Sequence, residues 1–212
     1  NYILEKLDES QPGEVVDTLS IEQVYAQSSL SFSQNYSNVR VEQAWQQLKA
    51  YDANNRPVVA ILDTGLDNQH VVFKNTNALW VNLKEIPNNG ADDDQNGYVD
   101  DINGWNFIAN TSSYADDEGH GTHVAGIVVG AGLDIFSPQL DQSKILVMPL
   151  KFLDSQGSGS TSNAIKAIYY AVNNGAKVIN NSWGGPGYSS ALLEAMTFAY
   201  DHHVLIVSAA GN

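Results

Sequence analysis

The stretch Pro57-Val58-Val59-Ala60-Ile61-Leu62-Asp63-Thr64-Gly65 decides the fold. Its apolar run does not alternate with polar residues, which is the pattern of a strand buried on both faces, and Asp-Thr-Gly ends it. Three more runs follow: Ile145 to Leu153, Lys177-Val178-Ile179, and Val204-Leu205-Ile206-Val207. Between the second and third, Ile165, Ile168, Tyr169 and Val172 recur at helical spacing from Ser162 to Asn173, and Gly175 stops the helix. Ser190 to Tyr200 repeats that spacing through Leu192, Leu193, Met196 and Phe198. Strands alternating with helices predict an α/β protein, a doubly wound parallel sheet with helices on both faces. Such sheets hold ligands at the carboxyl ends of their strands.

Upstream, residues 1–38 are polar and read as an N-terminal extension or a propeptide remnant, and Val41, Ala44, Trp45 and Leu48 predict a helix within 39–50. The 212 residues are 43% hydrophobic and 16% charged, enough apolar side chain to form a core. Ten basic against 24 acidic residues give a net charge of −14, which argues against nucleic acid and anionic membranes, since both need a basic face. There is no Cys, hence no disulfide framework, thiolate metal site or Cys nucleophile. No apolar run reaches the ~20 residues of a membrane span. The opening Asn1-Tyr2-Ile3 lacks a leader, so any targeting segment is expected to have been removed. No Gly-x-Gly-x-x-Gly follows the first strand, which removes a dinucleotide-binding reading.

Chemistry-bearing residues stand at the strand ends. An Asp after a buried strand, such as Asp63, often only caps a turn. Gly119-His120-Gly121-Thr122-His123-Val124-Ala125-Gly126 puts two imidazoles three residues apart where a helix opens. They read as a metal pair or as core histidines, but three Gly in eight residues suit close backbone packing better than a ligand cage. A buried Asp beside such a His fixes its tautomer and stabilises its cation, making the His a general base. The fourth run ends in Ser208-Ala209-Ala210-Gly211-Asn212, whose amide is a candidate donor to an oxyanion, an effect worth roughly 3–4 kcal/mol.

Together these motifs resemble, in order, the Asp, His and oxyanion-hole motifs of subtilisin-like serine proteases. The resemblance runs from about Val39 to Asn212 and includes Leu153-Asp154-Ser155-Gln156-Gly157-Ser158-Gly159-Ser160 and Asn180-Asn181-Ser182-Trp183-Gly184-Gly185. It implies that Asp63 orients His120, that His120 is the general base, and that Asn212 binds the oxyanion. It also implies that Gly157, Ser158, Gly159, Ser182, Trp183 and Gly184 line the non-primed subsites, pairing with the substrate backbone as an added strand. His123 is expected to pack structurally. Further implications are peptide or protein substrates and a secreted or cell-envelope location.

The family's nucleophilic Ser, in a Gly-Thr-Ser motif downstream of the Asn, has no counterpart in 1–212, and no Gly-x-Ser-x-Gly elbow replaces it. The expectation is a C-terminal fragment of the same precursor, cleaved after Asn212, that carries the catalytic Ser and stays bound. A catalytically silent, peptide- or partner-binding relative is the alternative, and a calcium-stabilised structural domain a third reading.

Residues 88–101 place five Asp within ten positions, and no Lys or Arg lies between Lys84 and Lys144. Counting from Asp92, ligand-bearing residues fall at one, three (Asp94) and five (Asn96), Gly97 at six, the Tyr98 carbonyl at seven and Asp100 at nine. This is the spacing of a calcium-binding loop, and the adjoining Asp101 is expected as a further ligand. Asn103 stands at twelve, where an EF-hand has Glu, so the loop is expected to bind Ca2+ without being an EF-hand. Trp80, Tyr98 and Trp105 are expected to pack around it. Asp116, Asp117 and Glu118 read either as a bias toward cationic substrate residues or as a solvated turn.

Overall fold

The computed structural model describes residues 56–74, 77–129, 145–185 and 187–210. The expectations about residues 1–38, about the helix within 39–50 and about Asn212 lie outside them. In chain order the elements are β1 (Val58–Asp63), α1 (Val71–Lys74), β2 (Trp105–Asn106), α2 (His120–Val128), β3 (Leu146–Lys151), α3 (Thr161–Asn173), β4 (Val178–Asn181), α4 (Ser190–Asp201) and β5 (Leu205–Ser208). The strands pair in the order β2-β3-β1-β4-β5, and every pairing is parallel.

β1 is the centre of the sheet, which explains why its sequence does not alternate. Ala60 and Leu62 point into one apolar cluster with Ala164, Ala167 and Ile168 of α3 and Ala195 and Ala199 of α4. Val59 and Ile61 point into another, which contains Ala125 of α2. Water is excluded on both sides, and each fully buried aliphatic side chain contributes about 1.5–3 kcal/mol. Both expected helices form, and each is capped by a serine: Ser160 Oγ accepts from the Asn163 N–H, and Ser189 Oγ from the Leu192 N–H.

β2 was not legible in the sequence. Two residues carry no periodicity, and Trp105 and Asn106 are strand only because they pair with Leu150 and Lys151. At the opposite edge, β5 is poorly covered among the described residues. Leu205 is 62% exposed and Val207 47%, although the run reads as buried strand.

Candidate active site

Asp63 is the last residue of β1 and is fully buried. Its Oδ1 accepts the Thr64 N–H at 2.7 Å and lies 2.8 Å from His120 Nδ1. A carboxylate can only accept, so Nδ1–H is the donor, and the Nε2 lone pair is left available. The His120 side chain is 45% exposed while that of Asp63 is not exposed at all, so the imidazole has its Nδ1 edge in the protein and its other edge toward solvent. Asp63 Oδ2 is buried and without a hydrogen-bond partner among the described residues.

His120 is the first residue of α2, and the geometry at that helix start holds it against β1. Gly121 approaches so closely that an added Cβ would lie 2.2 Å from the Gly65 carbonyl oxygen. Gly65, at φ 121°, needs the backbone freedom only glycine has without strain. Gly121→Ala is therefore expected to push α2 off β1, lowering stability by about 1–3 kcal/mol and stretching the Asp63–His120 hydrogen bond. A lowered thermal midpoint together with a lost low-field imidazole proton resonance would be the reading.

Gly119 supplies no side chain to cap α2, and Asp116 does so instead. Its Oδ1 accepts from the Gly119 N–H at 2.9 Å and from Thr64 Oγ1 at 2.8 Å, and its Oδ2 accepts from the Thr122 N–H at 2.9 Å and the Thr122 hydroxyl. Thr64 Oγ1 in turn accepts the Gly121 N–H at 2.9 Å, which closes a network between the β1 end and the α2 start. Burial works against ionisation of Asp116, but the Thr122 hydroxyl, the Gly119 and Thr122 N–H groups and the Thr64 hydroxyl outweigh it and hold its pKa down to about 2. A carboxylate depressed on folding stabilises the fold above its unfolded pKa and stops doing so as pH falls through the folded one. Stability should therefore decline between about pH 4 and pH 2, and Asp116→Asn should flatten that decline in an acid titration followed by circular dichroism.

The other two acids of this turn are neither a bare solvated surface nor a simple cleft charge. Asp117 pairs with Lys151 at 2.7 Å, and Glu118 accepts the His120 N–H at 2.7 Å. His123 lies on the exposed side of α2, bordering a cavity of about 620 Å³ with Asp67, His70 and Ile127.

The two expected substrate segments flank the pair, because β3 and β4 lie on either side of β1. After β3, the chain turns tightly. Asp154 Oδ1 accepts the N–H groups of Gln156 and Ser158 at 2.9 and 3.0 Å, the Gly157 N–H reaches the Asp154 carbonyl at 3.0 Å, and Leu153 bridges Gly159. The N–H groups of Gly157 and Ser158 are thus engaged within the turn, a limit the glycine-rich sequence did not reveal. After β4, Ser182, Trp183 and Gly184 form no backbone hydrogen bond among the described residues, and Trp183 packs on Phe152 with ring centroids 5.0 Å apart. Asn212 lies outside the described residues.

In the acidic loop the structure gathers Glu85, Asp92 and Asp94, with one carboxylate oxygen of each within 4.8 Å of the others. Glu85 is 6% exposed. Its Oε1 accepts the N–H groups of Asp93 and Asp94 at 2.9 and 3.2 Å, and its Oε2 is buried without a partner among the described residues. It stands outside the counted spacing, and no local signal pointed to it. Two expected ligands turn elsewhere. Asp100, at φ 54°, caps the Asn89 and Gly90 N–H groups at 3.1 and 3.0 Å, and Asp101 is fully buried against Asn82, Asn96 and the Tyr170 hydroxyl. Burial pushes Asp101 above the usual carboxylate range, against the lowering effect of the Tyr170 hydroxyl and the Asn96 and Asn82 amides. Asn96 directs its amide to Asp101 and its carbonyl oxygen to the Tyr98 N–H. The Tyr98 ring packs edge-on to Trp105 and Tyr170, with centroids 5.0 and 4.9 Å apart, so only its backbone carbonyl remains for an ion.

Comparison with known proteins agrees with this geometry. The profile of the subtilase family, Peptidase_S8, matches residues 54–212. The cell wall-associated protease of Bacillus subtilis (strain 168) is 39% identical over 158 residues, covering 74% of this chain and 15% of that protein. Subtilisin-like protease 1 of Plasmodium berghei (strain Anka) is 33% identical over 156 residues, 73% of this chain and 26% of that protein. A crystal structure of a cold adapted subtilisin-like serine proteinase superposes with a TM-score of 0.52 at 28% identity, covering 76% of this chain and 50% of that one. The chain thus spans about a quarter or less of the length of these two curated relatives.

Proposed function

This chain belongs to the subtilase family, and on that premise we propose that it supplies the acid–base half of a serine endopeptidase site. The observation that carries the reading is the 2.8 Å contact between His120 Nδ1 and a fully buried Asp63. That contact sets the imidazole to accept a proton at Nε2.

In this reading a serine hydroxyl attacks the scissile carbonyl while His120 Nε2 takes its proton. Asn212 and a backbone N–H hold the tetrahedral oxyanion. The imidazolium then gives its proton to the leaving amine, and water repeats the sequence to release the acyl group. The extended substrate adds as a strand between residues 157–159 and 182–184. The backbone groups of Ser182, Trp183 and Gly184, unbonded among the described residues, favour that mode, and Gly157 and Ser158 contribute through their exposed surface, since the Ser158 carbonyl already accepts the Asp154 N–H at 2.8 Å.

In this reading the serine is supplied by the C-terminal part of the peptidase domain, packed along β5. The exposure of Leu205 and Val207 on that edge supports the placement, since apolar edge strands are normally covered. No helix among the described residues is long and apolar enough to cross a membrane. We place the protein in the cell envelope or outside the cell on its similarity to a cell wall-associated protease.

We also infer one bound Ca2+. The donor set is all oxygen, Glu85 Oε2 is a buried carboxylate oxygen with no partner among the described residues, and the sequence has no Lys or Arg from 85 to 143. Glu85, Asp92 and Asp94 would hold the ion with the Tyr98 carbonyl, and it would cancel their mutual repulsion.

A fluorophosphonate probe applied to the native preparation tests the catalytic reading. It should label the serine-bearing polypeptide, and His120→Ala should abolish the labelling. Peptide binding without labelling would instead mark a silent relative.

A further inference from the structure

We propose that Lys151 is a positioning residue whose buried ammonium locks the Asp63–His120 pair to the rest of the cleft. Lysine is almost never buried unpaired, yet this side chain is 5% exposed. It ends β3, directly opposite Asp63 in the register with β1. Nζ donates to the Thr64 carbonyl, to the Leu153 carbonyl at 2.9 Å and to Asp117 Oδ1 at 2.7 Å. An ammonium has three N–H groups, so every donor is matched.

Each acceptor belongs to a different working segment. Thr64 follows Asp63, hydrogen-bonds its carboxylate with the backbone N–H and receives the Gly121 N–H on its hydroxyl. Asp117 sits in the turn whose neighbours Asp116 and Glu118 fasten the start of α2. Leu153 opens the turn that closes at Gly159. One cation therefore ties the acid's strand end, the base's helix start and the substrate edge together. An apolar side chain in its place would leave a buried carbonyl at each of two segments and an unpaired anion beside the base.

The kinetic consequence rests on the endopeptidase reading, and the spectroscopic one does not. In the native protein, with its companion polypeptide, Lys151→Met should lower kcat per fluorophosphonate-titrated site by about 100-fold. It should also weaken or shift the low-field proton resonance of His120 Nδ1–H, measured well below the thermal midpoint. A side chain that merely fills space would lower that midpoint and leave both readouts unchanged. If Lys151→Met does not fold, Asp117→Asn decides: its side chain is 54% exposed, and about a tenfold loss of kcat with the same spectral change is expected. A folded Lys151→Met, or failing that Asp117→Asn, with wild-type kcat and an unaltered resonance overturns the proposal. If the wild type cleaves no peptide, the endopeptidase reading falls, and the resonance alone decides the role of Lys151.

Discussion

Asp63→Asn is expected to lower kcat by about 10⁴-fold while the protein remains folded. The carboxylate is fully buried, and its Oδ1 receives both the Thr64 N–H and the His120 Nδ1–H, with Oδ2 unpartnered. An amide there has two orientations. One turns an N–H toward His120 and selects the tautomer whose Nε2 carries the proton, so the base cannot act. The other keeps the oxygen in place and leaves an amide N–H₂ without a partner in the pocket of Oδ2. In both, the negative charge that stabilises the imidazolium is gone. The variant should give a normal far-ultraviolet circular dichroism spectrum and nearly no turnover per titrated site. Retention of a tenth or more of the activity would refute the role given to this carboxylate.

Removal of calcium should lower the thermal midpoint by about 5–10 °C. An ion present at a hundred times its dissociation constant stabilises the folded state by about 2.7 kcal/mol, and a kcal/mol corresponds to about 2–4 °C for a domain of this size. Glu85→Gln separates the ion from the loop's own hydrogen bonds. Gln keeps an oxygen for the Asp93 and Asp94 N–H groups but loses the charge at the unpartnered position. In calcium the variant should therefore melt below the wild type, and in chelator the two should melt nearly together. Asp92→Ala with Asp94→Ala should abolish the calcium dependence. Identical wild-type midpoints in calcium and chelator would remove the ion from the account.

How much the sequence reveals depends on whether a residue's role is local. β1 and β3 were legible because burial from both faces imposes an unbroken apolar run, β4 and β5 because they carry the same apolar residues although β5 is largely exposed, and α3 and α4 because each buries one stripe under a serine cap. Asp63 and His120 stood out by position, at a strand end and a helix start, but position alone left other readings open, and the resemblance to subtilisin-like proteases was what paired them. β2 was not, since its two residues take their conformation from a partner strand. Asp116 read only as charge, because its work is done on backbone N–H groups and on the Thr64 hydroxyl, far away in the chain. In the acidic loop, counting positions found Asp92 and Asp94 but could not tell which way a carboxylate turns. The positive φ of Asp100 sends it to the Asn89 and Gly90 amides, and the pull of Tyr170 and Asn82 takes Asp101 into the core.

The central place of β1 also sets the tempo of folding. The earliest core strand among the described residues waits for partners that come much later: Val58 first meets Leu146, and Val59 meets Val178. Pairings between such distant segments close large loops before any reward, which slows folding and leaves apolar strand surface uncovered meanwhile. On a ribosome, Val58 to Leu62 would emerge well before either flanking strand existed, so a newly made chain has reason to rely on a chaperone or a covering segment during synthesis.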